Sequence, residues 1–408
     1  MSETPEYEGD TTPAFERDTR LTRLDTEVVG AGEDDGRPFV VLADTVLYPE
    51  GGGQPSDRGT VGGIPVVDVQ KWEGEIRHVL AGPAPSGRVT VELDWQRRFD
   101  HMQQHTAQHL LSAVADQRFG WSTTAFHLGD RVSDIELDTP GLGAEDLTEL
   151  EEAVAAEIRR AQPVTARRVS QEEFAGMPVR TRGLPEGHTG SVRLVEIRGI
   201  DVSTCGGTHC SSTAELEALK LLGTETMRGK VRLFYAAGRR LRVLYAAHHD
   251  RMAELRSLLG ASDEDLVDLL STRLSQAKDA ERTIRDLKQE LAVSAAAALV
   301  AAPGHVLAEH WPSRDLTFLQ GVAREVARLD PGRVVLLTCG EEEDGAFVIG
   351  AGQLGDADLK AVGPRVADLL GGRGGGSKGI FQGKATRLSC RESAADLLSG
   401  LGHSGGEV

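Results

Sequence analysis

The stretch His105-Thr-Ala-Gln-His109 and, further along the chain, Cys205-Gly-Gly-Thr-His209 decide how the centre of this protein folds. A spacing of four residues places both imidazoles of the first stretch on one face of a helix, about one turn apart. The two glycines of the second stretch allow a tight turn in which a thiolate and an imidazole converge. Together they supply nitrogen and sulfur ligands for one zinc ion. We therefore predict that His105, His109, Cys205 and His209 bind one Zn²⁺.

Each stretch alone is weak evidence, because histidines often share a helix face without binding a metal. The coordination number is also open: four protein ligands are typical of a structural zinc site, and three ligands plus water of a catalytic one. The remaining cysteines are not expected to be ligands. Cys210 should point away from the site, and Cys339 and Cys390 should be small buried residues.

Around the first stretch, apolar residues recur at helical spacing and predict a helix over residues 100–118. Extended segments are expected at residues 132–137 and 192–197, with a second helix over residues 144–161 between them. This pattern predicts an α+β zinc domain over residues 96–247.

Upstream, short β-like runs alternate with glycine-rich turns. Residues 38–42, 65–69 and 88–93 are rich in apolar and β-branched side chains. We predict a small Gly-rich β-barrel domain over residues 21–95, preceded by a flexible tail over residues 1–20.

Downstream, residues 248–300 have the pattern of a long helix or a helical hairpin. One seam is apolar at every seventh residue and the other is only half apolar; the two seams are Leu270, Ala277, Ile284 and Leu291, and Val267, Leu274, Glu281 and Lys288. The pattern fits either a spacer helix packed on a domain or the seam of a homodimer. Residues 301–408 alternate helix and strand, which predicts a small C-terminal α/β domain. Its helices are expected over residues 316–329 and 359–370, and its strands over residues 333–338 and 346–349.

The composition is that of a globular protein, with 39% hydrophobic residues and a net charge of −18 over 408 residues. Acidic residues number 63 and basic ones 45, of which 8 are lysine; this balance suggests adaptation to high salt. RNA binding by such a chain would depend on local arginine clusters. The four scattered cysteines argue against a disulfide framework. The N-terminus has no secretion signal and no apolar run reaches the roughly 18 residues of a membrane span, which predicts a cytoplasmic protein.

Three segments resemble motifs of the alanyl-tRNA synthetase editing domain. Residues 94–111 (DWQRRFDHMQQHTAQHLL) resemble its first zinc motif, and residues 201–209 (DVSTCGGTH) resemble its second. Residues 47–60 (LYPEGGGQPSDRGT) resemble the Gly-rich motif that precedes the editing core. The three occur in the family's order, and agreement of all three by chance is far less expected than any single match.

A fourth segment, residues 371–383 (GGRGGGSKGIFQG), resembles the Gly-rich motif of the synthetase's C-terminal domain, the DHHA1 module. It departs from the family after Gly376, and a flexible turn in a non-binding domain is the alternative. With this module the architecture resembles the long form of the free-standing alanyl-tRNA editing proteins, called AlaX. The synthetase's aminoacylation domain would need several hundred more residues upstream, so charging activity is not expected.

The resemblance implies a zinc-dependent trans-editing hydrolase that deacylates tRNA(Ala) carrying serine, mainly, or glycine. A zinc-bound or zinc-adjacent water would attack the ester. The family's equivalent strand runs close to the zinc, so a hydroxyl of Thr123 or Thr124 would pair with that of serine, unless both are ordinary strand threonines. Gln54 is a further substrate-selecting candidate; with Asp57, it would otherwise shape its loop.

Cationic residues supply candidate tRNA contacts. Arg97 and Arg98 are candidate phosphate ligands at the tRNA end, or else part of a solvated face. Arg373 and Lys378 are candidate tRNA contacts in the DHHA1-like domain. Neither DNA nor a membrane is expected as a partner, and a homodimer would form through residues 250–300 or the C-terminal domain.

Two other functions compete with editing. The first is a non-catalytic tRNA-binding protein with a structural zinc, which predicts tRNA binding that survives chelation. The second is a phosphoesterase of the DHH type, which needs an Asp-His-His motif. The nearest string here is His248-His249-Asp250, in reverse order, so this alternative is the weaker one.

Overall fold

The computed structural model describes residues 12–181, 183, 190–352 and 356–399. The first eleven residues of the predicted tail therefore lie outside the described residues. The chain divides into two compact units, Met1–Glu254 and Leu255–Val408. Both combine helices with sheets, which confirms the predicted α+β class.

The first unit opens with six strands, which are β1 (Arg23–Asp34), β2 (Arg37–Leu42), β3 (Gly59–Val61), β4 (Ile64–Trp72), β5 (Glu75–Leu80) and β6 (Arg88–Leu93). Antiparallel pairing in the order β1-β2-β5-β4-β3-β6 closes them into a barrel. Val89, Val91 and Leu93 of β6 are buried, because alternate side chains of a strand point to the same face. The barrel interior is therefore filled by side chains.

A short helix, α1 (Ala14–Arg17), precedes the barrel and packs against it. Phe15 is buried, and its ring meets that of Tyr48 edge-on with centroids 5.5 Å apart. The Phe15 amide donates to the Thr45 carbonyl at 3.2 Å. The prediction of a flexible tail over residues 1–20 is therefore wrong at α1. This helix is too short to show a helical repeat in the sequence.

The centre of the first unit is α2 (Trp95–Phe119), which is longer than the predicted helix over residues 100–118. It begins after Asp94, whose side chain accepts from the Arg97 amide, and ends at Gly120 in the left-handed conformation (φ 69°). Residues 101–115 are all buried, so this helix is covered on every side.

Two sheets and two further helices surround α2. Their elements are β7 (Thr123–His127), β8 (Ser133–Leu137), α3 (Ala144–Arg159), β9 (Val164–Val169), α4 (Gln171–Ala175), β10 (Val192–Ile197), β11 (Asp201–Thr204), a 3-10 turn (Thr213–Leu216), β12 (Leu219–Met227) and β13 (Lys230–Ala237). The strands form one sheet in the order β12-β13-β8-β7 and another in the order β11-β10-β9. Apolar residues of both sheets join those of α2 and α3 in one core.

Two helices, α5 (Gly238–Leu259) and α6 (Leu266–Val300), occupy the predicted spacer. The helical region begins ten residues before the predicted boundary at residue 248, because β13 runs directly into α5. Near the end of α6, Ala292 and Ala296 are buried in the core of the second unit, as a packed spacer requires. Leu274 and Ile284 of α6 are more than half exposed, and their role in a homodimer stays a prediction.

The second unit is built on a five-stranded sheet. Its elements are β14 (Val306–Trp311), α7 (Leu316–Leu329), β15 (Val334–Glu341), β16 (Asp344–Ala351), α8 (Asp356–Leu369), β17 (Gly374–Ser377), β18 (Ile380–Ala385), a 3-10 turn (Leu388–Cys390) and α9 (Arg391–Ser399). The strand order is β14-β15-β16-β18-β17, with β14 and β15 parallel. The Gly-rich segment pairs with β18, and a Cβ at Gly376 would lie 1.9 Å from the Ile380 carbonyl oxygen, so this approach requires glycine. Within the residues that the structure describes, no helix combines the length and apolar character needed to cross a membrane.

Candidate metal centre

The four predicted ligands come together in the first unit. His105 and His109 lie one turn apart on α2, and Cys205 and His209 lie in the loop that follows β11. One nitrogen or sulfur atom of each lies within 4.8 Å of those of the other three. The three histidines are buried, and Cys205 is partly exposed.

The spacing of these atoms fits a metal ion. The Cys205 sulfur lies 3.4 Å from His105 Nε2 and 3.3 Å from His209 Nε2. A sulfur and a nitrogen bound to one tetrahedral zinc lie about 3.6 Å apart, given the usual bond lengths. The observed distances are close to this value, so only a small movement would adjust the residues to an ion.

Glycine is required where the ligand loop crosses α2. A Cβ at Gly207 would lie 2.3 Å from His105 Cε1, too close for any side chain. Arg193 holds the same loop by donating from Nη1 to the carbonyls of Cys205, at 2.7 Å, and Gly207, at 2.9 Å. Gly207 thus allows the loop to pass close to α2, and Arg193 anchors the loop in that position.

Each imidazole also has an outer hydrogen-bond partner at Nδ1. The three pairs are His105 with Gln54 Oε1 (2.9 Å), His109 with Ser203 Oγ (2.7 Å) and His209 with Thr106 Oγ1 (3.2 Å). With Nδ1 engaged, Nε2 of each ring is left for a metal. Asp201, Ser203 and Thr106 were not predicted as functional; alternation along β11 would have placed Asp201 and Ser203 on the same face as Cys205.

Gln54 lies under the ligand loop and not at a substrate surface. It is fully buried, and its Nε2 donates to Thr208 Oγ1 at 2.9 Å. Its Oε1 accepts from the Thr208 amide at 3.0 Å and faces His105. The prediction that Gln54 selects substrate by contact is wrong, because its buried amide is occupied by His105 at Oε1 and by Thr208, the residue before His209, at both Oε1 and Nε2.

Arg98 is also fully buried, so the prediction that it contacts phosphate is wrong. Its Nε donates to Asp57 Oδ2 at 2.8 Å, and its Nη2 donates to the Val46 carbonyl at 2.6 Å. Asp57 in turn accepts from the Tyr48 amide at 2.7 Å, so it shapes the Gly-rich loop. Arg97 is partly exposed, and its contact with phosphate stays a prediction.

A cavity of about 500 Å³ opens beside the centre. Its wall includes His105, His109 and Cys205, together with Gln108 and Thr123. A metal held by these ligands would therefore be reachable from the cavity. Structural zinc sites are usually closed. The opening therefore favours a site at which a bound metal could contact a substrate.

The two predicted threonines have different surroundings. Thr123 lines the cavity, and its hydroxyl donates to Ser112 Oγ at 2.7 Å. A β-bulge separates Thr123 from Ala125, and Thr124 is exposed, with its Oγ1 3.4 Å from the Glu136 carbonyl. The structure therefore places Thr123 but not Thr124 at the site.

The surroundings of Cys205 and His209 favour the forms of these two side chains that bind a metal. Burial alone would raise the pKa of the Cys205 thiol, yet the neighbouring imidazoles hold it well below its usual range. Burial lowers the pKa of His209 to about 3. A thiolate beside a neutral imidazole is the combination that binds a metal.

Asp201 and Arg180 form an ion pair beside His109. Arg180 donates from Nε and Nη2 to the two Asp201 oxygens, at 2.9 and 2.7 Å. Burial opposes ionisation of Asp201, but hydrogen bonds from His109 and Arg180 hold the pKa of this carboxyl well below its usual range. Asp201 Oδ2 lies 3.5 Å from His109 Nδ1, so a negative charge stands behind that ligand.

The other three cysteines and the His248-His249-Asp250 string do not belong to the candidate metal site. Cys339 is buried, as predicted, whereas Cys390 is partly exposed and the prediction of its burial is wrong. Cys210, which was predicted to point away from the metal site, is buried and does not belong to the group of four candidate ligands. His248, His249 and Asp250 are exposed on α5. In the described part of the chain, the four ligands above are the only group of histidine, cysteine and acidic residues placed to hold a metal.

The predicted cations of the second unit are exposed. Arg373 and Lys378 both lie at the surface of the Gly-rich hairpin. Arg373, Arg314 and Lys384 line a shared cavity of about 570 Å³. Contacts of Arg373 and Lys378 with tRNA stay predictions.

Residues 192–235, which include Cys205 and His209, match the family model described as threonyl and alanyl tRNA synthetase second additional domain. The alanyl-tRNA editing protein Aarsd1 of Mus musculus is 40% identical over 380 residues, covering 92% of this chain and 91% of that protein. The alanine–tRNA ligase of Ignicoccus hospitalis is 29% identical over 401 residues, which are 95% of this chain but 42% of the ligase. The C-Ala domain of Aquifex aeolicus alanyl-tRNA synthetase matches 24% of this chain and 88% of its own, with 20% identity and a TM-score of 0.21.

Proposed function

The chain belongs to the family of alanyl-tRNA editing proteins, and from this we propose that it deacylates tRNA(Ala) that wrongly carries serine, mainly, or glycine. One observation carries the proposal: three candidate metal ligands and Thr123 line the same cavity. An ester placed there would have its carbonyl near the metal centre and its side chain near Thr123.

The chemistry of the substrate explains why a separate site is needed. A pocket that accepts alanine cannot strongly exclude glycine, which is smaller, or serine, which adds only a hydroxyl. A second site must instead bind the feature that distinguishes the wrong amino acid. Thr123 supports such selection, because a hydroxyl in the wall of the cavity can pair with that of serine.

The donor set of one thiolate and three imidazoles suits zinc. Zinc bound there would supply positive charge that activates water and stabilises the negative charge formed on the ester oxygen. Gln54, Ser203 and Thr106 orient the imidazoles through Nδ1, and Asp201 places its charge behind His109.

Binding of tRNA by a chain of net charge −18 would depend on local cations. Arg97 is partly exposed at the start of α2, and we propose that it contacts the acceptor end. In the second unit, Arg373 and Lys378 are exposed, and Arg373 shares a cavity wall with Arg314 and Lys384. These cations support a role for that unit in phosphate binding.

The test is deacylation of tRNA(Ala) charged with serine, glycine or alanine. We expect rapid loss of the seryl ester, slower loss of the glycyl ester and little loss of the alanyl ester. The Cys205→Ala variant should lose zinc and activity together, whereas Cys390→Ala, in the second unit, should keep both. Equal rates on all three esters, or no hydrolysis of any, would remove the editing function.

The competing function is tRNA binding with a structural zinc. It draws support from the number of ligands, because four protein side chains are typical of structural sites. Gel-shift measurements with deacylated tRNA(Ala), with and without a chelator, separate the two functions. Binding that survives metal removal in a protein without deacylase activity would favour this alternative.

A further inference from the structure

Ser112 joins two side chains of the cavity wall. It lies on α2, is 1% exposed, and its Oγ accepts two hydrogen bonds. One comes from Gln108 Nε2 at 2.9 Å, and the other from the Thr123 hydroxyl at 2.7 Å. Both donors line the cavity, but Ser112 itself does not belong to its wall.

These two bonds determine which atoms the cavity presents. Because the Thr123 hydrogen is engaged by Ser112, the Thr123 oxygen faces a ligand as an acceptor. The Gln108 amide nitrogen gives one of its two hydrogens to the same Ser112 oxygen, so this amide keeps Oε1 as an acceptor and one further N–H as a donor. Without Ser112, the Thr123 hydroxyl could rotate and act toward a ligand as either donor or acceptor.

We propose that Ser112 is a positioning residue that fixes the Thr123 oxygen as an acceptor and thereby selects a hydrogen-bond donor on the side chain of the aminoacyl group. The inference rests on the proposed function, since the aminoacyl group is the ligand that would meet the wall. A seryl ester has two donors, its side-chain hydroxyl and its ammonium group. Alanyl and glycyl esters have only the ammonium group, so only serine gains from the orientation of Thr123.

The Ser112→Ala variant tests this. Its kcat/KM for seryl-tRNA(Ala) should fall about tenfold, the effect of one hydrogen bond made in the transition state. Its kcat/KM for glycyl-tRNA(Ala) should change by less than about twofold, because glycine has no side chain to meet Thr123.

A matched control separates this effect from loss of stability. Thr213→Val also removes a buried hydroxyl of the first unit, one that donates to the Glu157 carbonyl at 2.9 Å. It should lower the melting temperature without altering the ratio of seryl to glycyl hydrolysis. Equal losses on both esters in Ser112→Ala, with the same pattern in Thr213→Val, would show that Ser112 is merely structural.

A double-mutant cycle with Thr123→Val completes the test and uses the seryl ester alone. In the Thr123→Val background there is no hydroxyl for Ser112 to orient, so adding Ser112→Ala should lower kcat/KM by less than about threefold. Full additivity of the two substitutions would overturn the inference. It would leave the proposed function intact, because that depends on hydrolysis by the unaltered protein.

Discussion

At the scale of single residues, Gln54 connects the barrel loop to the metal centre. Its amide contacts His105 Nδ1 and both the amide and hydroxyl of Thr208. Truncation would leave His105 without its outer partner and the ligand loop without support. Outer partners of this kind typically contribute 10- to 100-fold to metal affinity.

We therefore expect Gln54→Ala to weaken zinc binding by about 10- to 100-fold. Competition with a chromophoric chelator measures this directly. Gln70→Ala is the control, because the Gln70 side-chain amide donates to Glu50 and Asp68, two carboxylates that do not belong to the candidate metal site. Equal zinc affinities in the two variants would show that Gln54 does not support the centre.

The convergence of the four candidate metal ligands was predictable from sequence, because their spacing has a simple geometric meaning. His105 and His109 needed only a helix, and Cys205 and His209 only a tight turn. Arg98 and Gln54 were not predictable in this way. Long polar side chains are usually exposed, and only the tertiary structure reveals the buried partners that make their burial favourable.

At the scale of elements, the ligand loop after β11 contains adjacent glycines in different surroundings. A Cβ at Gly207 would lie 2.3 Å from His105 Cε1, whereas a Cβ at Gly206 would meet no atom within 4 Å. Gly207→Ala must therefore displace either the loop or His105. We expect it to lower zinc affinity at least about tenfold, by disturbing a ligand.

Gly206→Ala is its natural control and should keep the metal. Zinc content after dialysis against a weak chelator compares the two purified variants. If both retain one equivalent of zinc, the close packing of the loop on α2 is not needed for binding. If both lose it, the flexibility of the glycine pair, and not the contact with His105, is what matters.

The barrel contains a buried histidine that makes its stability depend on pH. His78 of β5 is fully buried, with Nε2 2.9 Å from Thr45 Oγ1 and Nδ1 3.2 Å from the Val40 carbonyl. Since the carbonyl can only accept, Nδ1 carries the hydrogen and Nε2 accepts from Thr45. Burial lowers the pKa of His78 from 6.5 to about 4.

The folded state therefore takes up a proton less readily than the unfolded state. The contribution of His78 to the free energy of unfolding is fully present above pH 6.5 and is lost as the pH falls toward about 4. Over that range we expect a loss on the order of 3 kcal/mol, which His78→Gln should abolish. Urea unfolding at several pH values measures it; parallel pH profiles for the two proteins would contradict the assignment.

Elements were predictable where they show a long repeat. The helix expected over residues 316–329 matches α7, whose apolar face packs on the sheet of the second unit. The helix α1 was missed, because four residues are fewer than two helical turns. The start of α5 at Gly238 was also missed, because a strand that continues directly into a helix has no loop residues to mark the change.

At the scale of the whole molecule, the barrel and the α+β zinc region belong to one compact unit, although the sequence predicted a boundary at residues 95 and 96. Gln54 and Asp57, from the barrel loop, make buried contacts with Thr208 and Arg98. Composition changes at the predicted boundary, but buried polar contacts across it leave no trace in composition. The barrel loop is therefore part of the metal centre.

The charge of the whole chain leads to the last prediction. With 63 acidic and 45 basic residues, mutual repulsion of surface carboxylates destabilises the folded state at low salt. Salt screens this repulsion, since the Debye length falls from about 10 Å at 0.1 M to about 3 Å at 1 M. We expect the urea midpoint to rise as KCl increases over this range, because the repulsion is stronger in the compact state. A midpoint that falls or stays constant as KCl increases would show that charge repulsion does not govern the stability of this protein.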